Sequence, residues 1–190
     1  MWVHPVGAAV LKEGKMVGTL TMKEMRGGLW ILGKLKDAEI TVQSPTDGKD
    51  VSFLIRNTHT RTKPKLTRGR ILIQIETDAD AGVLSSDSDI DLEDLSYAEA
   101  RRTKPEPQEI HRRIIGAITK TRSMKTDAFN FSSYIDWTYP RQWETHQTAL
   151  EEIYAESLAF SVRPDVKIRQ IGTIKESVVN TLTPKRRDEQ

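Results

Sequence analysis

The first apolar pattern along the chain has the two-residue period of β-strands. Two short apolar runs, GAAVL and MVGTLT, flank the segment Lys12–Lys15, in which Gly14 can take the positive φ that a tight turn requires. The sequence therefore predicts a β-hairpin at this position.

Three further strand-like runs follow in the first half of the chain. AEITVQS and DVSFLIRNTHTRTK are separated by the turn-forming segment PTDGK, and the run RILIQIET places Ile71, Ile73 and Ile75 on one face. The second run keeps alternating with polar residues beyond its apolar start, which indicates a long strand. Short connections favour an antiparallel meander, and a further short strand is predicted around 82–86.

The period changes to that of a helix after the hairpin. Thr21 and Glu24 have the spacing of a capping box, which predicts a helix over about 22–35. Its expected apolar stripe consists of Met25, Leu29 and Leu32. Gly27 and Gly28 each cost about 1 kcal/mol of helix propensity relative to alanine. Such a pair predicts a kink or the close approach of a neighbouring backbone.

Two more helices and a last strand are predicted in the second half. One apolar stripe supports a helix over 106–124, and its members are Ile110, Ile114, Ala117, Ile118 and Thr121. A second helix is predicted over 141–158, and the run FSVRPDVKI indicates a strand that returns to the sheet. The expected fold is a single α+β domain over 1–175, with an antiparallel sheet of about four to six strands packed on one face by three main helices. Residues 176–190 contain no apolar anchor and are predicted to fray.

Half of the chain's twelve aromatic residues fall within the segment 127–143, and they are Phe129, Phe131, Tyr134, Trp137, Tyr139 and Trp143. Asp127 is placed to cap a short helix, and Tyr139-Pro140 ends one helix and begins the next. We interpret the segment as a structural corner and expect Phe131, Tyr139 and Trp143 to be largely buried against the sheet. An open aromatic patch there would instead indicate a partner-binding surface.

Composition excludes several classes of protein. The chain is 37% apolar and 29% charged, so most of it should fold, and its formal net charge of only +2 gives no nucleic-acid footprint. There is no cysteine for a disulfide, a thiol nucleophile or a zinc site. The first residues have no signal-peptide pattern, and no run approaches the ~20 apolar residues of a membrane span.

No motif supports catalysis, a metal or a cofactor. The acidic run from Asp87 to Glu93 has carboxylates at every second position, but Leu92 and Ala98 stand where an EF-hand loop needs glycine and glutamate. The four histidines lie in unrelated segments, and no nucleophile elbow or phosphate-binding loop occurs. We therefore expect a solvated acidic edge and a protein that is not an enzyme.

A run of cations gives the best candidate for an interaction surface, and it contains Arg56, His59, Arg61, Lys63 and Lys65, followed by Arg68 and Arg70. Aromatic stacking platforms, which single-strand nucleic-acid binders need, are absent from it. One interpretation is an exposed strand end whose charges discourage edge pairing. The alternative is an anion-binding surface, with anionic lipid headgroups as the leading partner.

Three blocks of residues together resemble a known family. The first has Glu24, Arg26, Gly27 and Trp30 after the hairpin; the second has Asp127, Phe129, Phe131, Tyr139, Pro140 and Trp143; the third has Arg169 and Gly172 in the last strand. In order and spacing they are similar to the C-terminal domain of the Ger(x)C family, the C subunits of bacterial spore germinant receptors. The resemblance runs from about 7 to 172, with Asn130 and Ser132 where the family usually has glycine.

The resemblance implies a non-enzymatic role in nutrient-triggered germination. Such subunits are lipoproteins on the outer face of the spore inner membrane, where they work with membrane subunits A and B. The chain contains neither a signal peptide nor the lipidated cysteine, so the implied anchor belongs to a longer protein. Our leading hypothesis is a scaffold or interaction module. The alternative is a small-ligand or anion-binding domain that uses the basic strand 56–70 and the helix start at 21–24.

Overall fold

The computed structural model describes residues 6–44, 47–67, 70–87, 107–146 and 152–170. The strands in these ranges are β1 (Gly7–Lys12), β2 (Lys15–Thr21), β3 (Ala38–Gln43), β4 (Asp50–Thr67), β5 (Arg70–Ser86) and β6 (Ala159–Gln170). The helices are α1 (Met22–Ile31), α2 (Pro107–Ser123), α3 (Phe131–Thr138) and α4 (Pro140–His146), and a π-helical turn spans Ile153–Ser157. The predicted α+β class is confirmed.

The N-terminal hairpin forms as predicted and is a two-stranded sheet of its own. Glu13 and Gly14 have φ angles of 50° and 77°, which suit a two-residue turn between antiparallel strands. Val10 and Leu20 are buried on one face of the hairpin. The hairpin thereby packs beside α1 and is separate from the main sheet.

The main sheet has the strand order β3-β4-β5-β6. The first three strands are an antiparallel meander, as expected, but β6 pairs with β5 in parallel, so the sheet is mixed. A parallel neighbour requires a crossover connection, and the helical segments between β5 and β6 provide it. The short strand expected around 82–86 is the end of β5 and not a separate element.

A bulge in β4 decides which of its residues face the helices. Arg56 pairs with Asp80 and His59 with Asp78, so two residues of β4 stand opposite one residue of β5. Asn57 takes a φ of 50° at this point. The extra residue shifts the alternation, and Arg56 and His59 consequently share the outer face of the sheet.

The helices lie on the inner face of the sheet. The five predicted stripe residues of α2 are all buried, which confirms that helix. Pro140 begins α4 as predicted, but the expected helix over 141–158 is described only as α4 and the π-helical turn, and 147–151 lie outside the described residues. The core between sheet and helices includes Ile73, Ile75 and Ile114, each fully buried.

Helix α1 is shorter than the sequence pattern predicted. It ends at Ile31, because Gly33 takes a φ of 61° and Lys34 N–H donates to the carbonyl of Leu29 at 2.8 Å. The predicted stripe was also wrong at Leu32, which is exposed, whereas Trp30 and Ile31 are buried. A glycine C-cap therefore overrode the apolar periodicity.

Candidate functional site

The N-terminus of α1 is capped by the side chains of Thr21 and Glu24. The Thr21 backbone N–H donates to Glu24 Oε2 at 2.7 Å, and the Glu24 backbone N–H donates to Thr21 Oγ1 at 3.4 Å. This is the predicted capping box. The Glu24 carboxylate thus occupies the position that an anion would take in the alternative hypothesis of a ligand at 21–24.

The two glycines of α1 lie where other parts of the chain approach most closely. A Cβ atom on Gly27 would lie 2.0 Å from the carbonyl oxygen of Arg113 in α2, and one on Gly28 would lie 2.9 Å from the ring of Phe129. The sequence predicted such an approach without identifying the neighbour. Gly27 therefore sets the spacing between α1 and α2.

The other two residues of the first block connect α1 to the main sheet. Arg26 Nη1 donates to the carbonyl oxygen of Glu39 on β3 at 3.5 Å. Trp30 is fully buried, and its carbonyl oxygen accepts from Thr60 Oγ1 on β4 at 2.6 Å. The indole Nε1 of Trp30 has no hydrogen-bond partner, whereas every other buried side-chain nitrogen and oxygen in the described part of the chain has one.

Asp127 caps α3 with both carboxylate oxygens. Oδ1 accepts from the backbone N–H of Phe131 at 2.9 Å, and Oδ2 accepts from that of Ser132 at 2.7 Å. The predicted cap is confirmed, although Asn130, with a φ of 58°, lies between the cap and the helix. The cap directs Phe131 into the core.

An aromatic cluster joins this corner to β6 and the π-helical turn. The Phe131 ring lies 5.9 Å from that of Phe129, 5.2 Å from that of Phe160 and 6.3 Å from that of Tyr154. Phe131 is fully buried and Trp143 is buried, as expected. These contacts agree with the interpretation of the segment as a structural corner.

Tyr139 is only half-buried, and its role differs from that of the buried Phe131 and Trp143. Its hydroxyl oxygen accepts from the backbone N–H of Leu66 at 3.2 Å. That N–H belongs to the part of β4 beyond β3, because β3 pairs with β4 only over Asp50–Ile55. Tyr139 thus satisfies a donor on a strand edge, and Pro64, two residues away, has no N–H to expose.

A buried hydroxyl pair connects α2 to the π-helical turn. Tyr154 Oη lies 2.6 Å from Thr121 Oγ1, which also donates within its own helix to carbonyl oxygens of α2. Burial raises the pKa of the Tyr154 hydroxyl from 10.0 to about 12. The pair is a structural contact, because Tyr154 is fully buried and is surrounded by the aromatic cluster.

The basic run lies on the outer face of the sheet, and much of its charge is balanced there. Arg61 is opposite Glu76, His59 is opposite Asp78, and both acids belong to the neighbouring strand β5. Arg56 is likewise opposite Asp80. An anion would meet three carboxylates beside these three side chains, so the alternative hypothesis gains no support from this half of the run.

The third motif block and the acidic run are only partly described. Arg169 belongs to β6, while Gly172 and the acidic residues beyond Asp87 lie outside the described residues. In the described ranges no three histidine, cysteine, aspartate or glutamate residues are grouped so that they could hold a metal ion. Likewise, no described helix is both long and apolar enough to cross a membrane.

Sequence reasoning did not separate Trp137 from the buried aromatic residues around it. Trp137 is 76% exposed, and the Tyr134 ring lies against it at 5.9 Å with an interplanar angle of 67°. A helical wheel contains the signal, because two residues correspond to about 200° and Trp137 must point away from buried Ile135. The β1–β2 hairpin also exposes Leu11 and Met16, which are directly opposite each other.

Comparison with known proteins agrees with the geometry. Residues 6–172 match the family described as spore germination B3/GerAC-like, C-terminal. The spore germination protein KC of Bacillus subtilis (strain 168) is 25% identical over 167 residues, which are 87% of this chain and 41% of that protein. The crystal structure of the GerBC protein aligns with a TM-score of 0.73 and 21% identity, over 85% of this chain and 50% of that one. The chain thus spans half or less of the length of these two proteins. The alignment with GerBC shows that the two chains share a fold.

Proposed function

Because the chain belongs to the spore germination B3/GerAC-like C-terminal family, we propose that it serves a nutrient germinant receptor as the C-terminal domain of its C subunit. The observation that carries this proposal is the family match over 6–172, which includes all three sequence blocks. In this role the domain is a non-enzymatic scaffold or interaction module.

The packing of the motif residues supports a scaffold role. Gly27 contacts α2, Arg26 reaches β3, Phe129 covers Gly28 and Tyr139 bonds to β4. Each of these contacts joins two elements of the same domain. A unit held together in this way can present a fixed surface to a partner, which is the requirement for a scaffold.

The proposed setting is the outer face of the spore inner membrane. There the full-length subunit would be held by an N-terminal lipid anchor and would contact receptor subunits A and B. The relative named spore germination protein KC supports the germination role, and the anchor and the partners follow from the family resemblance alone.

The test compares two strains of the spore-forming bacterium that carries this gene. The matched strains have the domain deleted, or carry a wild-type copy, and the abundance of the remaining receptor subunits is measured in both. We expect the deletion to abolish nutrient germination and to leave germination by a non-nutrient trigger intact. Normal nutrient germination at unchanged receptor abundance would refute the proposal.

A further inference from the structure

Two rows of side chains at the hairpin end of β4 and β5 contain cations and no acid. Lys63 and Lys65 extend from the outer face of β4, and both are exposed. The residues that stand beside them on β5 and β6 are all uncharged, and they are Gln74, Leu72, Ser161 and Ala159. The positive charge of these two rows is therefore not balanced within the described sheet.

The next row adds two arginines to the same face. Arg61 on β4 and Arg163 on β6 lie on either side of Glu76, so one carboxylate stands between two guanidinium groups. All three side chains are exposed. Side chains on one face of a strand are about 7 Å apart along it, and neighbouring strands are about 4.8 Å apart. The three rows thus form a flat area about 13 Å long and about 10 Å wide in which cations outnumber acids.

No described element covers this area, because the described helices lie on the other face of the sheet. The acidic run of the chain begins at the far end of β5, where Asp87 N–H donates to the carbonyl oxygen of Asp50 at 2.9 Å. About 40 Å of strand separates Asp87 from Gln74, the neighbour of Lys63. The chain from Asp87 to Glu93 extends at most about 22 Å. The acidic run of the same molecule therefore cannot reach the lysines.

The composition of the area selects among anionic partners. Peripheral binding to a bilayer combines cations with apolar side chains that enter the interface, and the three rows contain no apolar side chain larger than alanine except the half-buried Leu72. Single-stranded nucleic acid needs aromatic platforms, and these rows contain none. An extended acidic protein segment needs neither feature. Its alternate side chains are about 7 Å apart, which is also the spacing of Arg61, Lys63 and Lys65 along β4.

We propose that four cations on the outer face of the sheet form a docking surface for an extended acidic segment of a partner protein, and they are Arg61, Lys63, Lys65 and Arg163. We call them the cationic face. Carboxylates at alternate positions of the segment pair with the successive cations of β4. This proposal goes beyond the receptor role and does not depend on it, because binding of an acidic peptide is a property of the chain alone.

The test is the fluorescence anisotropy of a labelled peptide in which aspartate alternates with serine, titrated with the full chain. Binding should be measurable at low ionic strength and should weaken with added salt, because the Debye length falls from about 30 Å at 0.01 M to about 10 Å at 0.1 M. A peptide of the same composition with its aspartates in one block is the control for spacing. It should bind more weakly, since only every second carboxylate of an extended block faces the sheet.

Charge variants identify the surface that binds. Lys63→Gln with Lys65→Gln should weaken binding about tenfold, whereas the matched control, Lys15→Gln with Lys23→Gln, removes the same charge from exposed positions elsewhere and should change binding little. Glu76→Gln should tighten binding about threefold, because it removes the carboxylate between the two arginines. A merely structural role of these residues would not produce such a gain. Thermal unfolding of each variant shows whether the exposed substitutions leave the fold unchanged.

Several results would overturn the proposal. They are no binding of the alternating peptide at low salt, equally tight binding of the block peptide, an equal loss of binding in the lysine control pair, and no gain in Glu76→Gln. Binding to vesicles of phosphatidylcholine with phosphatidylglycerol, without binding of the peptide, would assign the cationic face to a membrane instead. Salt-sensitive self-association that Lys63→Gln with Lys65→Gln abolishes would assign it to a second copy of the chain.

Discussion

Gly27 offers the sharpest test of how α1 and α2 are packed. The substitution Gly27→Ala adds one methyl group that would lie 2.0 Å from the carbonyl oxygen of Arg113 and 3.2 Å from the Cβ atom of Ala117. The first of these atoms is backbone in the interior of a helix, so it cannot rotate away as a side chain can. The two helices must separate to accept the methyl group.

The expected cost follows from two opposing contributions. Overpacking of a tight interior contact costs about 1–3 kcal/mol, and a backbone contact at this distance favours the upper end. Alanine regains about 1 kcal/mol of helix propensity relative to glycine. The net loss for Gly27→Ala is therefore about 2 kcal/mol, or roughly 4–8 °C in Tm for a chain of this size.

Gly116 provides the matched control, because it lies inside α2 and a Cβ atom there would meet nothing within 4 Å. Gly116→Ala should therefore stabilise the protein by about 0.5–1 kcal/mol. The assay is urea unfolding followed by circular dichroism, with both variants and the wild type at one temperature. If Gly27→Ala proves as stable as Gly116→Ala, the described contact between α1 and α2 is wrong.

Three further substitutions test single contacts. Between pH 10 and 12 the unfolded tyrosine ionises while buried Tyr154 keeps its proton, so unfolding free energy should fall by up to about 2.7 kcal/mol. Urea unfolding at pH 8 and 11, an interval that contains about half of this fall, should show a correspondingly smaller pH dependence in Tyr154→Phe. Asp127→Ala removes the acceptors of two N–H groups and should cost about 1–2 kcal/mol in thermal unfolding, with Asp127→Asn losing less. Tyr139→Phe leaves the Leu66 N–H to water, so its loss should stay below about 1 kcal/mol; a larger loss would mean that this strand edge is closed to solvent.

Local signals in the sequence were enough for the elements whose determinants lie close together. Gly14 specified the hairpin turn, Thr21 and Glu24 specified the start of α1, and Asp127 specified the start of α3. In each case the interacting groups are within five residues of each other. Such contacts form almost independently of the rest of the fold, so their residue types and spacing suffice to predict them.

Features that depend on distant pairing could not be predicted in the same way. The alternation in β6 is the same for a parallel and an antiparallel neighbour, and the parallel choice depends on where the preceding helices return the chain. The balance of Arg61 by Glu76 depends on the register of β4 against β5, which the bulge at Asn57 shifts. A list of cations along one strand therefore overstated the positive surface.

The described motif contacts also determine where a partner surface should be sought. Gly27, Phe129 and Phe131 contact other elements of the same domain. Substituting them would reduce function by weakening the fold, so a loss of germination in such variants would not identify a binding surface. Trp137 is the better probe, because it is 76% exposed and its removal leaves the buried face of α3 unchanged. A variant at Trp137 that keeps wild-type stability and yet loses function would locate an interaction directly, since only exposed side chains can separate binding from folding in this domain.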